Sequence, residues 1–151
     1  MPVGEIGAWW PDWMWGIPII VCTVVVHVIG LGLIRERFLA AGERAPGDAR
    51  LSLIHFAVTM GITVLLATML HTLEAGLWAA AFVGLGALPD AREAMLYSLN
   101  AITAFGHAPL FLAPQWQMLG ALEALNGVIL FGLTTAFLYS MIQQGRHGSG
   151  R

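Results

Sequence analysis

Residues 97–109 read Tyr97-Ser-Leu-Asn-Ala-Ile-Thr-Ala-Phe-Gly-His-Ala-Pro109, and this stretch decides the fold. It lies between two long apolar segments and shortly before Gln115-Trp-Gln117. Upstream, Asp90-Ala-Arg-Glu93 has the spacing of a helix start. Asp90 can cap the first free N–H groups, and Glu93, three residues on, completes a capping box. The helix so begun is expected over residues 91–103. That is about three turns, too short for a hydrocarbon layer of about 30 Å. Irregular backbone at membrane depth is permitted only where it is buried in protein or lines a water-filled cavity. Residues 104–109 require such a setting; one copy cannot enclose a cavity, but a ring of copies can.

Composition points to a membrane. Hydrophobic residues make up 58% of the chain and charged residues 11%, with a mean hydropathy of +0.75. A soluble domain carries about 25% charged residues. Lysine is absent, so arginine supplies all seven fixed positive charges. The net charge of −2 argues against nucleic-acid binding. The single cysteine, Cys22, cannot form an internal disulfide and reads as a small buried apolar residue.

Working outward, three spans are expected. The first apolar segment covers residues 17–34, about one crossing. The residues before it include Glu5 and Asp12 and no Arg or Lys, which argues for a retained span and against a cleaved leader. Arg35-Glu-Arg37 is expected to stop it. Residues 51–88 are too long for one untilted crossing, so 51–70 is the expected span, with 73–83 continuing the helix or lying at the interface. Gly84-Leu-Gly86 and Pro89 end it. The third span is expected over residues 118–142. Arg35, Arg37, Arg44 and Arg50 flank the first linker, Arg146 and Arg151 lie in the tail, and only Arg92 lies between the second and third spans. The linker and tail are therefore expected in the cytoplasm and the amino terminus outside. Trp9, Trp10, Trp13, Trp15, Trp78 and Trp116 then fall at the outer interface as an aromatic belt.

Two strings carry a family resemblance. Thr103-Ala-Phe-Gly-His-Ala108 resembles a degenerate Thr-Thr-Val-Gly-Tyr-Gly potassium-channel filter. Phe131-Gly-Leu-Thr-Thr-Ala136 resembles the inner helix of two-transmembrane bacterial potassium channels. The chain is similar in this way to the bacterial pore-loop ion channels over residues 51–143. The resemblance implies an all-α integral membrane protein with three transmembrane helices, a re-entrant pore helix and a filter-like loop, assembled as a homotetramer. Its units are residues 1–50 (outer segment, first helix and linker), 51–143 (pore module) and 144–151 (tail). It implies passive conduction of monovalent cations, K+ or Na+, with no enzymatic activity, cofactor or metal site.

Carried over residue by residue, the resemblance puts Ala104, Phe105, Gly106, His107 and Ala108 on the filter positions after Thr103. Ala104 lacks the threonine hydroxyl, Phe105 is larger than the usual valine, His107 replaces the bracing tyrosine, and Ala108 replaces a glycine. Gly127 falls on the family's hinge glycine. Phe131, Thr135 and Tyr139 repeat every four residues and so share one face, which the resemblance turns to the cavity. Gly132 is expected to pack against a neighbouring helix. Glu123 is expected to support the pore helix through Asn100. His71 and Glu74, three apart on one helix face, are expected to hydrogen-bond the pore region; the spacing also suits part of a metal site. Two alternatives to conduction stand: a non-conducting channel-like partner subunit, and a small membrane cytochrome with a haem between His27 and His55.

Overall fold

The structure is a computed structural model that describes residues 9–44, 46–106 and 110–148. Helix α1 spans Trp10–Gly42, α2 Ala49–Gly84, α3 Ala91–Ile102 and α4 Gln117–Gly148, with a short 3-10 turn at Pro114–Trp116 before α4. Helices α1, α2 and α4 are each long and apolar enough to cross a membrane. Their apolar residues face outward as well as inward: Val21, Val25, Val58, Ile62, Leu65 and Val128 are all exposed. That distribution suits lipid on the outside and polar pairing on the inside.

Helices α2 and α3 start at capping aspartates. The Asp48 carboxylate accepts from the Arg50 and Leu51 N–H groups, both at 3.0 Å, and opens α2. Asp90 does the same for α3, accepting from Arg92 and Glu93 at 3.1 Å. Arg35-Glu-Arg37 does not stop α1, which runs on to Gly42. Charged side chains mark where a helix leaves an apolar layer, and water beyond it supports the backbone equally well. Helix α2 likewise continues unbroken through residues 73–83. It ends where Gly86 takes φ +66 and the Ala87 N–H bonds the Phe82 carbonyl at 2.8 Å. Only glycine enters that left-handed region without strain.

Polar contacts set the register of the long helices. Asp12, Thr23 and His27 of α1 meet Leu119, Asn126 and Thr134 of α4, so these two helices run parallel. His27 meets Glu74 while Ala41 meets His55, so α2 runs antiparallel to α1. The segment holding α3 leaves and rejoins the bundle at one place, where the Ala113 N–H bonds the Ala87 carbonyl at 3.1 Å. Between those points α3 lies against both α2 and α4. Its buried face is Ala94, Tyr97, Ser98, Ala101 and Ile102, a helical repeat. The core there comprises Trp78, Phe82, Leu88, Tyr97, Leu112, Leu119 and Leu122. Phe82 and Tyr97 meet edge to face at 5.3 Å.

Three expectations are corrected. Cys22 is exposed, on the outer face of α1. Trp78 is fully buried in the core, whereas Trp9, Trp10, Trp13 and Trp15 are exposed. A ring that can reach either an interface or a core goes to the core when α3 covers it. Gly132, expected to pack against a neighbouring helix, has no atom of the described residues within 4 Å of an added Cβ, whereas a Cβ on Gly127 would overlap the Ile102 carbonyl. Gly127 is a packing residue that lets the end of α3 touch the α4 backbone.

This contact predicts a contrast. Gly127→Val destabilises the protein by about 1–3 kcal/mol, the usual range for overpacking. Gly132→Ala stays within about 0.5 kcal/mol of the parent. Thermal unfolding of the two variants in one detergent measures both, and equal melting temperatures would remove the Ile102 contact from the account.

Candidate functional site

Two constellations carry chemistry. The first is the end of α3. Thr103 is its C-cap, and its hydroxyl donates back to the Leu99 and Asn100 carbonyls at 2.8 and 3.1 Å. The Asn100 carbonyl also accepts from the Phe105 N–H at 3.1 Å. Ala104 follows with φ +52 and Gly106 with φ +89. A left-handed residue after a helix end is ordinarily glycine; alanine there carries a steric cost. Phe105 is 86% exposed. His107 and Ala108 lie outside the described residues. The Ile102 carbonyl at this end meets Gly127, ten residues into α4. At 1.5 Å per residue that is about 15 Å along α4.

The second constellation is a buried polar cluster between α1, α2 and α4. His27 Nδ1 lies 2.8 Å from one Glu74 oxygen. His71 Nδ1 lies 3.2 Å from the other. Across the two rings from the carboxylate, Thr134 Oγ1 lies 3.1 Å from His27 Nε2 and 3.0 Å from His71 Nε2. All four residues are buried. The His71 contact to Glu74 is close but not aligned as a hydrogen bond, so His71 Nδ1 and the second Glu74 oxygen have no aligned partner among the described residues. Phe131 stacks over His71 with ring centroids 4.3 Å apart. Farther along the same seam the Asn126 amide donates to Thr23 at 2.7 Å. At its end the Asp12 carboxylate accepts from the Leu119 N–H at 2.8 Å, capping the start of α4.

Several expected residues therefore sit elsewhere than anticipated. His71 and Glu74 meet α1 and α4 instead of the loop after α3. Glu123 does lie against α3, but fully buried beside Ser98 instead of Asn100 and with no aligned hydrogen bond among the described residues. Asn100 spends its carbonyl on the end of its own helix. Thr135 and Tyr139 are exposed on the face that Phe131 begins. The Thr135 hydroxyl donates to the Phe131 carbonyl, and Tyr139 accepts from the Gln143 amide. His27 and His55 are not brought together. His55 Nε2–H donates to the Ala41 carbonyl, fourteen residues past His27 on α1. That separation is about 21 Å along the helix, too far for two axial ligands of one iron.

Asp12, Thr23, Asn126 and Thr134 were not singled out as site residues. Their signal in the sequence is polarity inside an apolar run, which marks an intramembrane polar contact but not its partner. No protein-family model, curated protein or solved structure matches this chain.

Removing one partner of a buried charged contact leaves the other uncompensated. Glu74→Ala is expected to cost about 3–5 kcal/mol. Asp12→Ala, which uncaps α4, is expected to cost about 0.5–2 kcal/mol. Denaturant titration in mixed micelles ranks the two, and a smaller loss for Glu74→Ala than for Asp12→Ala would contradict the assignment of Glu74 as the central contact.

Proposed function

We propose that the chain is one subunit of a passive monovalent-cation pore, potassium-channel-like in architecture and built from four copies in the bacterial inner membrane. The observation that carries this reading is the closed excursion between Ala87 and Ala113. A 12-residue helix departs from the end of α2, reaches Gly127 of α4 and returns to the point of departure. A depth of about 15 Å is half of a hydrocarbon layer of about 30 Å. The carboxyl end of α3 carries partial negative charge, which favours a cation beyond it. Left-handed backbone at Ala104 and Gly106 supports a loop that presents its own carbonyls, the groups that replace a permeant ion's water.

A single copy leaves apolar surface beside this loop. Leu96, Phe105 and Phe111 are exposed next to the one segment that lipid cannot cover without stranding its backbone polar groups. A ring of copies would cover them and enclose the loops on one axis. Phe131, Thr135 and Tyr139 form the face that would line the cavity below. The arginine distribution would put the linker after α1 and the tail in the cytoplasm.

Selectivity should be weak. Four copies with alanine in place of threonine at position 104 lose four hydroxyl oxygens, and Phe105, His107 and Ala108 also depart from the potassium pattern, which only Gly106 keeps. Reconstituted protein under a potassium/sodium gradient is expected to prefer potassium less than about tenfold, or about 1.4 kcal/mol. A ratio of a hundred would mean that this loop selects by another route. Absence of flux from a tetramer of confirmed mass would favour the non-conducting partner, a reading supported by the Thr103 hydroxyl being turned back onto α3. A stable monomer or dimer in a native-like bilayer would sink the pore reading.

External pH supplies an independent test. Imidazole titrates near neutrality, at about 6.5 when unperturbed. Protonation of His107 in four copies would repel an entering cation, so conductance falls as external pH is lowered. His107→Tyr is expected to abolish that fall; an unchanged response would assign it to another group.

A further inference from the structure

The cluster behind Phe131 takes no part in the pore reading, and its proton arithmetic is incomplete. Thr134 has one hydroxyl hydrogen and lies within hydrogen-bond distance of two imidazole Nε2 atoms. It can donate to only one, so at least one ring must present Nε2–H to the Thr134 oxygen. When neutral, that ring turns an Nδ1 lone pair toward the Glu74 carboxylate. Lone pairs facing each other at 2.8 or 3.2 Å require a cation between them. His71 Nδ1 and the facing Glu74 oxygen are buried and have no aligned partner among the described residues, which marks the gap.

We infer that His27, His71 and Glu74 form a binding site for one divalent transition-metal ion of the zinc class. The ligand atoms are the two imidazole Nδ1 atoms and the Glu74 carboxylate. The three residues come from α1 and α2, and one donor atom from each lies within 4.8 Å of the others. Zinc bonds to nitrogen and oxygen of about 2.0–2.2 Å imply ligand separations of about 3.3–3.6 Å in a tetrahedron. The observed 2.8 and 3.2 Å contacts reach that spacing by opening a few tenths of an ångström. Two imidazoles with one carboxylate suit zinc, iron or cobalt, whereas calcium and magnesium take oxygen sets. With both Nδ1 atoms on the metal, both rings carry Nε2–H, and the Thr134 oxygen accepts from both. This is the usual outer support of a metal-bound histidine. Three protein ligands leave one tetrahedral position open. The site ties α1 to α2 directly and to α4 through Thr134.

The test uses the full, tag-free chain in nanodiscs, stripped with a chelator and titrated with Co2+. One Co2+ per chain is expected, with visible absorption of tetrahedral intensity that Zn2+ bleaches. Zn2+ is also expected to raise the melting temperature. Glu74→Gln weakens Co2+ binding at least tenfold, and His55→Gln leaves it unchanged. Should Glu74→Gln fail to fold, His71→Cys in a Cys22→Ser background still reports: a sulfur-to-cobalt charge-transfer band places residue 71 on the metal. Folded wild-type protein with neither a cobalt spectrum nor a zinc-dependent melting shift would overturn the site. It would leave a proton between Glu74 and an imidazole, as a hydrogen-bonded brace only. A full-strength spectrum in folded Glu74→Gln would place the metal elsewhere and equally overturn it.

Discussion

A fully buried carboxylate among apolar helices imposes a constraint that the rest of the bundle obeys. Glu74 has no water to turn to, and a charged group in such a place is stable only with close, oriented partners. Its partners come from α1 and its own helix, and theirs from α4, so one side chain fixes three helices in rotation and height. Apolar packing alone would not do this. In lipid, the tails compete on equal terms with leucine for every helix face, and only polar contacts and close backbone approaches distinguish one arrangement from another. The Asn126–Thr23 and Asp12–Leu119 contacts extend the same seam along α1 and α4.

The close approaches supply the second kind of specificity. Gly30 leaves room for Leu70 between α1 and α2, and Gly16 leaves room for Leu122 between α1 and α4. Gly120 accommodates the hydroxyl of Tyr97, midway along α3, and Gly127 accommodates its carboxyl end at Ile102. The short helix is therefore held by shape at its middle and its carboxyl end, and by the aromatic packing of Tyr97 on Phe82. Its outward residues, Leu96 and Leu99, remain exposed.

The sequence made the long helices legible because their apolar runs are long. Asp90 and the glycine at position 86 could be read directly, since each acts on backbone within a few residues. Partners could not. Glu74 reaches His27, forty-seven residues away, and Asn126 reaches Thr23, one hundred and three residues away. Nothing local records such a distance. Helices apolar on every side also hide their rotation: with lipid and protein equally suited to valine, periodicity does not say which face is inward, which is why Cys22 was misread. Trp78 misled for a related reason, since an indole is at home in either setting.

The parallel seam between α1 and α4 has a consequence for how the chain is made. Asp12, Thr23 and His27 leave the ribosome long before Leu119, Asn126 and Thr134, which follow 103 to 107 residues later. At ordinary synthesis rates of about 5–20 residues per second, that interval is about 5–20 s. During it, α1 waits without its α4 partners. Asp12 lies in the first turn of the helix, at the tryptophan-rich end, and the Thr23 hydroxyl can donate to the Ile19 and Ile20 carbonyls of its own helix, so His27 is the residue most in need of a contact from elsewhere. The arrival of Glu74 gives His27 a partner midway, making α1 and α2 a hairpin competent to leave the translocon together. Asp12 and Thr23 gain their α4 partners only when the last helix enters. The seam that fixes the finished fold therefore closes in two stages, α1 with α2 first and α4 last.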